Sequence, residues 1–135
     1  NSTVETLLLP EVVVRDLVLS PEGTRLATAG EGLHILFIGE DGVIETALVD
    51  RDLAEESFSV AVDGYGALLA DATLDEIRLW SLSQLTLVDS IPLAAFVSED
   101  NPPVALAFSP NDSLIVLATA DGLIQVFGIP AGMGQ

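Results

Sequence analysis

Histidine is the side chain most suited to acid–base and metal chemistry near neutral pH, and this chain has one, His34. It stands in Leu33-His34-Ile35-Leu36, alternating with apolar residues. A single imidazole has no second histidine with which to share a metal, so the pattern reads as a strand histidine satisfied within a sheet. Asp71, Asp75 and Glu76 lie close in sequence, as do Glu55 and Glu56. Calcium favours such oxygens, but the D-x-[DN]-x-[DN]-G spacing is not met, and solvated turn carboxylates are expected. Gly30-Glu31-Gly32 and Gly64-Tyr65-Gly66 are short glycine turns. Neither opens a helix or precedes a lysine, so neither has the form of a phosphate loop. Ser20-Pro21 and Ser109-Pro110 have the form of phosphorylation sites, yet as turn residues they need no such role. There is no cysteine, which excludes disulfides and thiolate metal sites. The expectation is a non-enzyme, with no catalytic residue, no metal and no cofactor assigned. Type and spacing mark no residue as partner-binding.

The charge balance narrows the partners. The formal net charge is −17, and the four cations are Arg15, Arg25, Arg51 and Arg78, with no lysine. Gripping a phosphate backbone requires clustered Lys and Arg to displace counterions. Any role with RNA is therefore expected to be indirect, or to use regions outside this chain. The acidity itself reads as a solvated surface, with a docking face for a basic partner as the sharper alternative. Arg15, Arg25 and Arg78 are expected to serve as internal charge partners rather than RNA readers. No apolar run approaches the roughly 18 to 20 residues of a membrane span, and Asn1-Ser-Thr-Val-Glu5 lacks the basic and apolar regions of a secretory signal. These features, with the lack of cysteine, point to an intracellular chain with no membrane partner, and the chain reads as a piece of a longer protein.

What must position these residues is a set of short strands. The 135 residues are half apolar, enough for one domain with a core. Val12–Leu19 is β-branched and apolar and stops at Ser20-Pro21-Glu22-Gly23, with Pro second and Gly fourth in the turn. Arg25–Ala29, Leu33–Ile38 and Val43–Val49 follow, joined by Gly-rich turns. Four short strands joined by tight turns make an antiparallel meander. Asp50–Glu56 is long enough for one helical turn at most.

The meander repeats. Leu19-Ser20-Pro21 matches Phe108-Ser109-Pro110, and Leu26-Ala27-Thr28-Ala29 matches Leu117-Ala118-Thr119-Ala120. Halving that spacing leads to a weaker middle copy, Ser59–Ala70, in which Asp63-Gly64 replaces Ser-Pro, followed by Asp75–Leu82. Four strands in about 40 to 45 residues is the signature of a β-propeller blade. "AFSPN…LATADGLIQVF" and "DEIRLWS" resemble the WD40 repeat family. The departures are Trp80-Ser81, Phe127-Gly128 and Phe37-Ile38 in place of Trp-Asp, and the lack of any Gly-His pair. On that ground the Asp–His–Ser–Trp hydrogen-bond network of WD40 blades is expected to be largely absent, with apolar packing holding the units.

The resemblance implies an all-β, partial β-propeller of WD40-like four-stranded antiparallel blades, about three in this chain. The expected blades are 12–49, 56–91 and 103–129, all of 1–135 belonging to one propeller, with Val4–Leu9 an outer strand of an adjoining blade. Pro130–Gln135 is expected to add no fourth strand to the last. Three blades do not close a ring, so the end faces need cover from the remainder of the propeller or a second chain. The unit order is similar to that of WD40 proteins of the small-subunit processome. This implies a nucleolar, nuclear scaffold in small-subunit pre-rRNA processing. Its partners would be other WD40 and scaffold proteins, with pre-rRNA engaged indirectly. A self-assembling, dimeric half-propeller binding module is the alternative. A propeller hydrolase or lectin is the weakest reading, because no paired acids or aromatic sugar platform can be found.

Overall fold

The computed structural model describes residues 13–39, 44–50, 56–93 and 97–129. The strand expected over Val4–Leu9, the segment Pro130–Gln135, and Arg51 and Glu55 lie outside the described residues. Among those described there are eleven strands and no helix. The first sheet comprises β1 (Val14–Leu19), β2 (Arg25–Gly30), β3 (Leu33–Ile38) and β4 (Ile44–Asp50) in that order. The second comprises β5 (Ser59–Val62), β6 (Leu68–Ala72), β7 (Glu76–Ser81) and β8 (Thr86–Pro92). The third has three strands, β9 (Pro103–Phe108), β10 (Leu114–Thr119) and β11 (Ile124–Gly128). Every described pairing is antiparallel between consecutive strands.

The first turn of each sheet is built the same way. The Ser20 Oγ accepts the Arg25 N–H at 3.0 Å, and the Ser109 Oγ accepts the Leu114 N–H at 3.1 Å. In the middle sheet Asp63 Oδ1 accepts the Ala67 N–H at 2.9 Å. A short oxygen-bearing side chain thus ties the turn to the start of the second strand. The turns also touch across sheets. Asp112 Oδ1 accepts the Gly64 N–H at 3.0 Å, and the Glu22 carboxylate lies against Gly66 so closely that a Cβ there would be 2.8 Å from Oε1.

Strand geometry sends alternate side chains to opposite faces, and the second sheet uses both. One face carries Ala61, Ala70, Ala72, Ile77 and Leu79 into a cluster with Leu106, Ile115 and Leu117 of the third sheet. The other carries Val60, Leu69 and Trp80 into a cluster with Ala27, Ala29, Leu33 and Ile35 of the first. The core is therefore two apolar seams with the second sheet between them. The first strands run side by side, β5 between β1 and β9. A sheet buried on both faces needs apolar residues at successive positions, which explains the runs Leu68–Ala72 and Ile77–Trp80, where only Asp71 and Arg78 interrupt.

One glycine is fixed by contact. A Cβ on Gly30 would lie 1.8 Å from the Val13 carbonyl oxygen, and that oxygen also accepts the Glu31 N–H at 3.0 Å. Gly23 has φ of +80° but open space around its would-be Cβ. Gly30→Ala is expected to cost about 3 kcal/mol, because backbone must move. Gly23→Ala should cost about 1 kcal/mol for the left-handed conformation alone. Urea unfolding midpoints of the two variants check the difference.

Candidate functional site

Asp71, on β6, is fully buried. Its Oδ1 accepts Arg78 Nε–H at 3.1 Å and the Trp80 indole N–H at 2.8 Å. Its Oδ2 accepts the Ser57 hydroxyl at 2.8 Å and an N–H of Arg78 Nη2 at 2.5 Å. The solvated turn carboxylate expected at Asp71 is thus corrected: a forked guanidinium, an indole and a hydroxyl saturate it, which is what lets a carboxylate leave water. Asp75 is exposed and Glu76 half-exposed. The expectation that a WD40-type network would be largely absent is also corrected for the middle sheet. An Asp–Ser–Trp network is there, with Arg78 in it rather than a histidine. Asp71 and Arg78 pair across β6 and β7, on the face that meets the first sheet. A signal for this lay in the sequence, since Asp71 alternates with Leu69, and Arg78 with Trp80, on inward-facing positions.

The other sequence candidates separate. Arg15 pairs with Glu56 and lies over the Phe58 ring at 4.9 Å, joining the first sheet to the approach of the second. Arg25 forms no ion pair with a carboxylate of the described residues; its guanidinium lies over Phe37 at 4.7 Å, so the charge partnership expected for it is not observed. His34 is buried on β3, opposite Thr28 on β2. Ser20 is buried and Ser109 half-buried, both engaged in their turns. Among the described residues no three His, Asp or Glu side chains gather to hold a metal ion. Thr119 Oγ1 donates to Asp121 Oδ1 at 2.7 Å, and that oxygen also accepts the Leu123 N–H at 3.1 Å. These bonds, the Thr119 hydroxyl foremost, hold the Asp121 carboxyl below its ordinary 3.8.

The feature that stands out is the free side of the third sheet. Ala27, Ala29, Leu33 and Ile35 of the first sheet face the second and are almost wholly buried. Moving on by 43 or 44 residues gives Ala70, Ala72, Ile77 and Leu79, which face the third sheet and are fully buried. A further 46 or 47 residues gives Val116, Ala118, Ile124 and Val126. The register agrees, since Ala27 pairs with Ile35, Ala70 with Leu79 and Val116 with Val126. This third set faces away from the second sheet, and Ile124 is 59% and Val126 55% exposed. Val104 and Leu114 are exposed beside them. The β9–β11 strands carry no ionisable residue. Apolar, exposed and uncharged, this face is the candidate partner-binding surface.

Replacing Asp71 by Ala leaves Arg78 buried without its carboxylate and should cost about 3–5 kcal/mol. The third sheet has Leu117 paired with Gln125 at the corresponding positions. The double substitution Asp71→Leu with Arg78→Gln transplants that pair. It should come within about 2 kcal/mol of the parent, the remainder being the acceptor lost to Trp80 and Ser57. Denaturant unfolding of the single and double variants tests this. Asp121 gives a pH signature. A carboxyl lowered in the folded state contributes stability above its unfolded pKa and loses it as pH falls through the folded value. Asp121→Asn should therefore remove part of the fall in melting temperature below pH about 4 while acting through the same turn.

No family model and no curated protein matches the sequence. Solved structures do match in shape. The β-propeller domain of Myceliophteria thermophila Cps50 (Swd1) superposes with a TM-score of 0.66 at 13% identity, over 84% of this chain and 39% of that one. The RRP9 WD40 repeats superpose with a TM-score of 0.74 at 15% identity, over 91% of this chain and 37% of that one. The chain thus spans about two fifths of these two propellers. Together with the three stacked antiparallel sheets, the likeness makes this an all-β, partial propeller of WD40-like blades.

Proposed function

We propose that the chain is a non-catalytic scaffold for protein–protein assembly. The observation that carries this is the face of Val116, Ala118, Ile124 and Val126, which repeats two buried seams and yet leaves Ile124 and Val126 exposed and Val116 and Ala118 half-buried. Burying one such Ile or Val is worth roughly 1.5–3 kcal/mol, so the face favours another protein surface over water. That cover is the remainder of the propeller or a second chain, with 1–135 forming part of one ring and Val4–Leu9 the outer strand of an adjoining blade. The net charge of −17 argues against direct grip on RNA.

The setting we propose is ribosome biogenesis, in small-subunit pre-rRNA processing with the U3 snoRNP and the processome, in the nucleolus. It rests on the order of "LSPEGTRLATAGEGLHILFI", "IRLWSLSQLTLVDSIPL" and "PVALAFSPNDSLIVLATADGLIQVFGI". This order looks like the C-terminal propeller of cirhin, the U3 small nucleolar RNA-associated WD40 protein. The partners in that setting are other WD40 and scaffold proteins of the processome, with pre-rRNA engaged through them or through regions outside this chain. The test is affinity purification of the tagged protein from nucleolar extract, probing for U3 RNA and the processome scaffold proteins. Co-purification is expected, reduced at least tenfold by Ile124→Glu. A preparation that carries neither removes the ribosomal setting.

A further inference from the structure

We infer that the open face of the third sheet takes the first sheet of a second copy of this chain, head to tail. The inference rests on reading that face as an assembly surface and names what covers it. Each internal seam follows one rule. The earlier sheet offers a face with small or branched side chains, and the next sheet brings a bulky apolar pair on its second and third strands. Leu69 and Trp80 do this against Ala27 and Ala29. Ile115, paired in register with Phe127, does it against Ala70 and Ala72.

The same bulky positions exist in the first sheet and point away from the second. They are Leu26 and Leu36, paired across β2 and β3. Beside Leu26, Leu19 stands opposite on β1, and Leu17 one step further along the same face. Leu17 is 59% and Leu19 51% exposed. Thr28, His34 and Leu36 on that face are already out of solvent, so the new contact is made by its β1–β2 half. One chain thus offers, at one end, the free side of the third sheet and, at the other, the exposed β1 edge of the matching face, Leu17 and Leu19.

Geometry and charge agree with this pairing. In the chain β5 lies beside β1, and β9 beside β5. Placing β1 of a second copy beside β9 continues that series and covers Val104 together with Leu17 and Leu19. The strong negative charge does not sit on the contact centre, because β9–β11, Leu17, Leu19 and Leu26 are uncharged. A contact between two different faces of the same chain is heterologous, and successive blades turning about one axis make it a contact that can close.

The test is solution mass by light scattering, on the full chain and on variants at exposed positions. The parent is expected as a closed particle of two or more copies. Ile124→Glu removes one half of the seam and Leu17→Glu the other, and each should reduce the mass at least twofold with an unchanged β-sheet circular dichroism spectrum. Ile124→Thr and Leu17→Thr, gentler changes, should weaken association in the same order. Because the two halves differ, mixing I124E with L17E should restore a two-copy particle through the one intact seam. A monomeric parent, association indifferent to both substitutions, or a mixture that stays monomeric overturns the inference. A monomer that still co-purifies with processome scaffold proteins sinks self-assembly alone and leaves the scaffold reading standing.

Discussion

Everything in this chain depends on sheets buried on both faces. A single four-stranded antiparallel sheet of this size has little stability in water until a face is covered. Here the second sheet is covered twice, and its residues show the consequence. Ala70, Ala72, Ile77 and Leu79 point one way and Leu69 and Trp80 the other, all out of solvent. The first and third sheets each gain one covered face from it. Stability is therefore graded along the stack, greatest in the middle and least at the free side of the third sheet. The function proposed above follows from that gradient, since an uncovered seam is a surface whose energy is realised only on association.

The buried ion pair modifies this picture at one seam only. Asp71, Arg78, Trp80 and Ser57 place a saturated polar group among apolar side chains between the first and second sheets. The corresponding pair in the third sheet is Leu117 and Gln125, and in the first Thr28 and His34. The three sheets thus share a scaffold and differ at the centre of one face. A charged pair of this kind adds little net stability over a well-packed apolar pair, because desolvation offsets its attraction. What it does is fix the register of the second sheet itself, since slipping β7 along β6 would take the guanidinium and the indole away from a carboxylate in apolar surroundings. Register within the second sheet is then encoded by polarity as well as by apolar alternation.

The fold was legible in the sequence because its signals are local and repeated. The turn residues Ser20, Asp63 and Ser109 recur at the same place in each unit, and strand alternation lies between them. Their hydrogen bonds show why Asp63-Gly64 serves where Ser-Pro stood: each supplies an oxygen within reach of the next strand's amide. The buried network was not legible from residue type. Asp71 sits among acidic residues, and acidity in a turn-rich chain normally means exposure. Only the parity of the strand places it inside, facing Arg78 and Trp80. Arg25 shows the opposite limit. Its many acidic neighbours in sequence suggested an ion pair, and the fold gives it an aromatic ring instead.

The candidate surface was legible in outline, as an incomplete repeat needing cover, but its chemistry appears only when the three sets of facing residues are aligned through the sheet register. That alignment also constrains what a partner must offer. Ile77 fits its seam because Ala70 and Ala72 beside it leave room for bulky side chains from the next sheet. Val116 is larger than Ala70 at the equivalent position and Val126 smaller than Leu79, so the free face is shallower and more uniform. A shallow apolar face discriminates poorly by shape alone. Selectivity must then come from the rim of the third sheet, and there the chain is acidic, with Asp112 in the first turn and Asp121 at the far end of β10. A covering sheet whose carboxylates fall directly on those two groups meets repulsion, whereas one whose charges lie clear of them does not. The apolar centre supplies the affinity and the acidic rim decides which sheets are admitted.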